Sequence, residues 1–291
     1  MTDLFTLGEV LGVVTADRIR HDMSARLDLE GPELTVAVGL ARLGHSVAYV
    51  GRVSDDEIGV RTTTVLRGEG VDVSHMRVDE TAASGLALRQ RRIGRVAHAV
   101  FYRGGSAGSR VSTGDVPTEV QDARILHVTG ITPALSGFAW SAVHHAVKLA
   151  KDAGVLVSVD VNHRPNLWES VEEAREGLRE LSASADVLFA NQDELSLVEP
   201  ALSRVPELVV MRGSKGASAT VEGFRYDTQA APVTVVDATE VGGAFVAGYL
   251  SALLDGVHPS DRLKRGISVA AFAVAAHSTW QGLPTRSELP P

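Results

Sequence analysis

The stretch DATEVGGAFVAGYL, Asp237 to Leu250, decides how this chain is read. Gly242 and Gly243 open a run of small and apolar residues with the composition of a buried helix. A helix beginning near Gly242 offers unpaired backbone N–H groups and the positive end of its dipole, which suits a phosphate. Val241 and Gly242 would supply that anion loop. On spacing alone, close packing is the commoner explanation of such a glycine pair. Glu240 sets a carboxylate in the loop, and Gly243 has no side chain to accept a proton.

Working outward, strands alternate with helices, the pattern of a mainly parallel sheet covered on both faces. Strands are predicted at Ser46–Gly51, Ile125–Thr129, Val155–Asp160, Val187–Ala190 and Leu208–Arg212. In Glu33–Leu43, Val36, Leu40 and Leu43 recur at three- and four-residue steps and share one helix face. Ala139–Ala153 and Glu172–Leu181 read the same way. Gly243–Leu254 and Ser260–His277 are apolar enough to be mostly buried helices. Val10–Ile19 and Leu86–Tyr102 break the rhythm as strands without nearby helices. Arg89, Arg91, Arg92 and Arg95 make the second of these basic. A small sheet projecting from the main domain, as a lid or dimer surface, and an edge hairpin with solvated arginines are equally good readings.

The chain has 291 residues, is 44% hydrophobic and has no cysteine. It can bury a sizeable core, and it cannot form disulfides or thiolate metal sites. A formal charge of −8 argues against nucleic acid or an anionic membrane as the main partner. No signal peptide is legible, and Ile267–Ala276 is too short to span a bilayer. The expectation is a cytoplasmic protein.

DATEVGGAFVAGYL resembles the DTTGAGDAFVAGFL signature of the ribokinase-like (PfkB) carbohydrate kinases. The resemblance covers nearly the whole chain. GPELTVAVGLARLGHSVAYVGRVSDDEIG, Gly31 to Gly59, is similar to the family's first signature. VSVDVNHRPNLW, Val157 to Trp168, resembles its D-x-N-x-R strand end. NQDE, Asn191 to Glu194, resembles its N-x-x-E motif, and MRGSKGA, Met211 to Ala217, its nucleotide-side turn. FYRGGSAGSR, Phe101 to Arg110, is similar to the YYRKGSAAS segment of 2-keto-3-deoxygluconate kinases, as is the ending TWQGLPTRSEL, Thr279 to Leu289.

The resemblance implies an α/β fold, a ribokinase-like three-layer sandwich with a mostly parallel central sheet and a small β-lid. It implies one domain over 1–291, with lid strands within 10–32 and 84–104. It implies ATP and Mg²⁺, and a sugar or sugar acid gripped by Arg103 and Arg164, with Gly31 and Thr35 on the substrate side. A guanidinium fork suits a carboxylate, although a structural salt bridge explains either arginine equally well. Asn191 and Glu194 would hold the Mg²⁺–phosphate side through water, with no direct metal ligand assigned. An ordinary helix N-terminus is the alternative for NQDE. Gly213 and Gly216 would shape the turn beside the nucleotide. A homodimer through the lid is implied in the same way.

Several positions depart from that pattern. The family's aspartate base falls on Gly243, and the first glycine of GAG on Glu240. General-base help is worth about 10²–10⁴ in rate, or roughly 3–5 kcal/mol of barrier. A carboxylate about 4 Å from a phosphate charge costs about 4 kcal/mol at an effective dielectric near 20. The signature asparagine is Thr35, and a signature glycine is Glu30 or Pro32. Ser54 replaces another glycine, Phe101 the first tyrosine of YYR, and Ser278-Thr279 a glycine-aspartate pair. Two functions follow as expectations: a slow or impaired sugar-acid kinase, in which Glu240 could replace the base, or a non-catalytic sugar- or nucleotide-binding regulatory protein. A dinucleotide oxidoreductase is disfavoured by the absence of G-x-G-x-x-G after the first strand. Adjacent His144 and His145 do not share a helix face, so a two-histidine metal site is not expected.

Overall fold

The computed structural model describes residues 2–21, 24–92 and 95–290, except for the side chains of 91, 92, 95–98 and 200. Short apolar runs alternate their residues between two cores. On β1 (Leu4–Leu7), Leu4 joins one apolar cluster and Phe5 the other, as the two-residue period of a strand requires. In the central sheet, β1 lies between β4 (Val47–Ser54) and β8 (Ile125–Thr129). Beyond β4 comes β5 (Met76–Asp79). Beyond β8 come β9 (Leu156–Asp160), β10 (Val187–Asn191), β11 (Glu207–Met211), β12 (Ala217–Val221) and β13 (Phe224–Thr228). All neighbours from β5 to β11 pair parallel, while β12 and β13 pair antiparallel.

One face of the sheet is covered by α1 (Pro32–Arg42), α2 (Glu57–Gly68), α6 (Val241–Leu254) and α7 (Pro259–Val274). The other is covered by α3 (Gly137–Ala153), α4 (Val171–Ser182) and α5 (Leu195–Leu202). This gives three layers, and parallel pairing sets the carboxyl ends of β1, β8, β9, β10 and β11 along one edge, where open α/β sheets bind ligands.

A separate four-stranded sheet has the order β3 (Arg26–Glu30), β2 (Leu11–Ala16), β6 (Leu86–Arg92), β7 (Arg95–Tyr102). Its core is Leu11, Val13 and Ala87. Arg89 is not a solvated edge cation: it is 7% exposed and pairs with Glu30. The predicted basic contribution of Arg91, Arg92 and Arg95 rests on side chains outside the described residues. The small sheet is tied down from the far end of the chain. Trp280 donates its indole N–H to Asp28 Oδ1 at 3.0 Å, and Gln281 donates to the same oxygen at 3.2 Å. Arg42 donates to the carbonyls of Gln281 and Leu283, and Arg286 to that of Leu43.

The sequence missed β1, α2, β5, α5, β12 and β13, and it extended α7 to His277. α7 stops at Val274 because that residue's carbonyl accepts the N–H groups of Val236 and Asp237, which lead into α6. Asp56 is the N-cap of α2: its Oδ1 accepts the N–H groups of Ile58 and Gly59 at 3.0 and 2.9 Å.

Candidate active site

The anion loop is built as a turn that feeds α6. Asp237 Oδ1 accepts from the Thr239 N–H at 2.9 Å and its hydroxyl at 2.6 Å, while Thr279 donates to the Thr239 carbonyl at 2.6 Å. Glu240 is the N-cap of α6 and sits in the left-handed region at φ 56°. Its carboxylate does not fold back onto the amides of its own helix. Oε2 accepts the Gly31 N–H at 3.1 Å, across 209 residues of sequence. Gly31 is in turn the N-cap of α1. The start of the anion helix and the start of the predicted sugar-side helix are thus joined by one carboxylate.

Gly242 and Gly243 differ in kind. A Cβ on Gly242 would meet nothing closer than Met211 at 3.8 Å, so the backbone here is uncrowded on its side-chain face. A Cβ on Gly243 would lie 3.2 Å from the Pro32 carbonyl oxygen and from Thr35 Cβ. Gly243 therefore packs closely against the first turn of α1. Thr35 turns its methyl toward Gly243 and gives its hydroxyl to the Gly31 carbonyl at 3.1 Å. That hydroxyl is used within its own helix rather than presented to a ligand.

Beneath this contact lies Glu33, fully buried in the first turn of α1. Its Oε1 accepts from the hydroxyls of Thr129 and Thr132 at 2.6 and 2.8 Å. Its Oε2 has no partner among the described residues. Gly8 makes the space, since a Cβ there would sit 2.5 Å from the Glu33 carboxyl carbon. Burial pushes the Glu33 carboxyl up to about 6, and the nearby Glu240 charge adds to the rise.

Glu9 follows β1 and is equally enclosed. It accepts from Arg103 Nε at 2.8 Å and from the Ser106 hydroxyl, and Gly85 and Gly108 leave it room. Arg103, expected to grip a ligand carboxylate, thus has an internal carboxylate on the edge formed by Nε and Nη2. Its end-on edge, Nη1 with Nη2, lies in the same plane and points away from the Glu9 edge. Arg164 is exposed, with Nη1 3.5 Å from the His163 carbonyl oxygen.

The NQDE segment is both a turn and a cross-link. Asn191 Oδ1 accepts the N–H groups of Asp193 and Glu194, at 2.9 and 3.0 Å. Glu194, 5% exposed, accepts the His163 and Asn191 N–H groups on its two oxygens, each at 2.8 Å. Asp160 is buried beside it and is raised above the usual carboxylate range, first by burial and then by the Glu194 charge. Gly216, at φ 85°, needs its missing side chain: a Cβ would lie 2.0 Å from the Thr228 carbonyl oxygen. Gly213 shares the turn at φ 56° with open space around it.

The fold thus brings Gly31, Thr35, Glu240, Val241, Gly242 and Gly243 together where α1 and α6 begin. The turn residues Gly213 and Gly216 follow β11, while Asn191 and Glu194 lie at the end of β10. These residues fit a nucleotide phosphate, because a ligand can approach the backbone at Gly242 and the Glu240 carboxylate is engaged by Gly31 rather than by the amides of α6. Among the described residues no group of three metal-ligating side chains converges. Sequence reasoning missed Glu9 and Glu33. Gly8-Glu9 directly after a strand was the available signal, but β1 had not been recognised.

Comparison with known proteins agrees with this geometry. Residues 8–286 match the pfkB family of carbohydrate kinases. The chain is 35% identical to a 2-dehydro-3-deoxygluconokinase of Thermoproteus tenax, over 99% of this chain and 93% of that protein. It is 32% identical to the Bacillus subtilis protein of the same name, over 99% and 94%. The crystal structure of a PfkB protein from Polaromonas sp. JS666 superposes with a TM-score of 0.89 at 31% identity, covering 99% of both chains. The Escherichia coli protein described as a putative ribokinase II, solved in complex with ATP and Mg²⁺, shares the fold at a TM-score of 0.90 and 24% identity, over 99% of this chain and 97% of that one. On these grounds the chain belongs to the pfkB family of carbohydrate kinases.

Proposed function

We propose that this protein transfers the γ-phosphoryl group of ATP to a hydroxyl of a sugar acid, of the 2-keto-3-deoxygluconate (2-dehydro-3-deoxygluconate) type, at a reduced rate. The observation that carries the reading is Gly243. The amide-bearing start of α6 is kept, while the position facing the first turn of α1 has lost its side chain. The amides of Val241 and Gly242 would hold phosphate charge. The end-on edge of Arg103 and the exposed Arg164 would hold the ligand carboxylate. Bound Mg²⁺ would neutralise phosphate charge, with Asn191 and Glu194 ordering its waters. Phosphoryl transfer depends mostly on positioning and electrostatics, so losing an acid at 243 slows it without abolishing it.

The bond from the Gly31 N–H to Glu240 supports a second reading, a regulatory protein that binds sugar or nucleotide without transfer. The small sheet would act as the lid. Its exposed Leu27, Phe101 and Tyr102 fit contact with a second copy, as a homodimer. No described helix is long and apolar enough to cross a membrane, and a cytoplasmic location completes the proposal.

Calorimetric titration of ATP–Mg²⁺, alone and with 2-keto-3-deoxygluconate, followed by a product assay, tests the readings. Binding of both with slow product formation supports the kinase. Binding of both, or of the sugar acid alone, without product supports the regulator. Binding of neither removes both.

A further inference from the structure

We infer that Glu240 is the proton acceptor for the phosphoryl transfer, taking over from the side chain that Gly243 lacks. The inference rests on the kinase reading and assigns its missing chemical role. The Cα–Cβ direction of Gly243 runs into Pro32 and Thr35, so an acid there would lie along the first turn of α1. Glu240 reaches that same turn. It precedes Gly243 by three residues as the N-cap of α6, and its own carbonyl accepts the Gly243 N–H at 3.1 Å. The extra methylene of glutamate helps to cover the rise between the two positions. Its carboxylate arrives at Gly31, the N-cap residue one place before Pro32.

The two oxygens then divide the work. Oε2 is held by the Gly31 N–H, which fixes the carboxylate over the sugar-side helix. Oε1 has no partner among the described residues, and Glu240 is partly exposed, so an acceptor hydroxyl can reach it. Glu33, the other acid in this turn, is fully enclosed. Glu240 is also held in a left-handed conformation that side-chain-bearing residues seldom adopt, a feature that gathers at functional positions.

The step balances simply. The substrate oxygen forms a bond to the γ-phosphorus of ATP as its proton passes to Glu240 Oε1. The bond from that phosphorus to the β,γ-bridging oxygen breaks, and its electron pair leaves with ADP. Glu240 then returns the proton to solvent.

The test uses the full-length protein with ATP–Mg²⁺ and 2-keto-3-deoxygluconate. Binding is read by calorimetry and transfer by single-turnover product formation. Glu240→Gln keeps an acceptor for the Gly31 N–H and removes the base. Glu240→Gly suits the left-handed backbone and leaves space for added formate. The expected result is affinities within about threefold of the parent in Glu240→Gln, with kcat lower by about a hundredfold. Formate should restore part of the loss in Glu240→Gly and none in Glu240→Gln. Unchanged kcat in Glu240→Gln overturns the inference, as does a parent protein that binds both ligands without transfer. A parent protein that binds neither ligand removes the kinase reading itself, and the inference with it.

Discussion

Replacing Glu33 by glutamine should make the protein more stable at neutral pH and not at acid pH. The Glu33 carboxyl is raised from 4.5 to about 6, chiefly by burial. Between those values the unfolded chain has released the proton that the folded chain still holds. The stability linked to this group is therefore complete below about pH 4.5 and is lost as the pH climbs through about 6. At about 1.4 kcal/mol for each pH decade, the loss amounts to about 2 kcal/mol by pH 7.5. Glutamine does not titrate, and its oxygen can still accept from Thr129 and Thr132. Its amide replaces the unpartnered Oε2, at a cost that does not vary with pH. The variant-minus-parent difference should thus rise by about 2 kcal/mol between pH 4.5 and 7.5. Removing the charge also relieves Asp160, which Glu33 pushes up, so this neighbour changes the difference in the same direction. Urea unfolding followed by tryptophan fluorescence at the two pH values measures it. A difference constant within about 0.5 kcal/mol would refute the placement of an ionisable, enclosed carboxyl at this position.

Gly243→Asp should cost about 1–2 kcal/mol of stability through its contacts with Pro32 and Thr35; pairing it with Thr35→Ser, which removes the facing methyl, should recover most of this in thermal melts. Arg262→Ala should cost about 3 kcal/mol in urea. It strips Glu207 of the guanidinium that reaches both its oxygens, leaving the Tyr249 hydroxyl at 2.6 Å. Asp56→Ala should cost about 1–2 kcal/mol by the same measurement. It uncaps α2 and frees the Ser84 N–H and hydroxyl, both of which donate to Asp56; a change below about 0.3 kcal/mol would contradict that geometry.

Periodicity found the elements whose burial leaves a simple pattern. β8 was placed to the residue, and α1 and α3 within two residues at each end. It failed where polar residues carry the packing. α2 has only Gly59, Thr62 and Leu66 buried, so its apolar stripe is too thin to read. β13 is exposed or half-exposed along its length and is held by pairing to β12 rather than by burial. The loop at 237–243 was legible as a helix start with a misplaced acid. The direction of that acid was not, because Gly31 is 209 residues away and no local spacing encodes the contact. Glu33 was hidden for a related reason: in a helix it reads as an ordinary first-turn acid, and Gly8, just past the end of β1, reveals that it points inward.

The link from Trp280 and Gln281 to Asp28 has a consequence for how the protein is made. Asp28 belongs to the third strand to leave the ribosome, yet its two donors lie more than 250 residues downstream. Through most of synthesis the strand carries an acid that the finished protein encloses at 7% exposure and that has not met these donors. Arg42 and Leu43 likewise await Leu283 and Arg286. The base of the small sheet is therefore among the last parts to close, and nascent chains halted before residue 280 should remain open to protease there while the central strands are already paired.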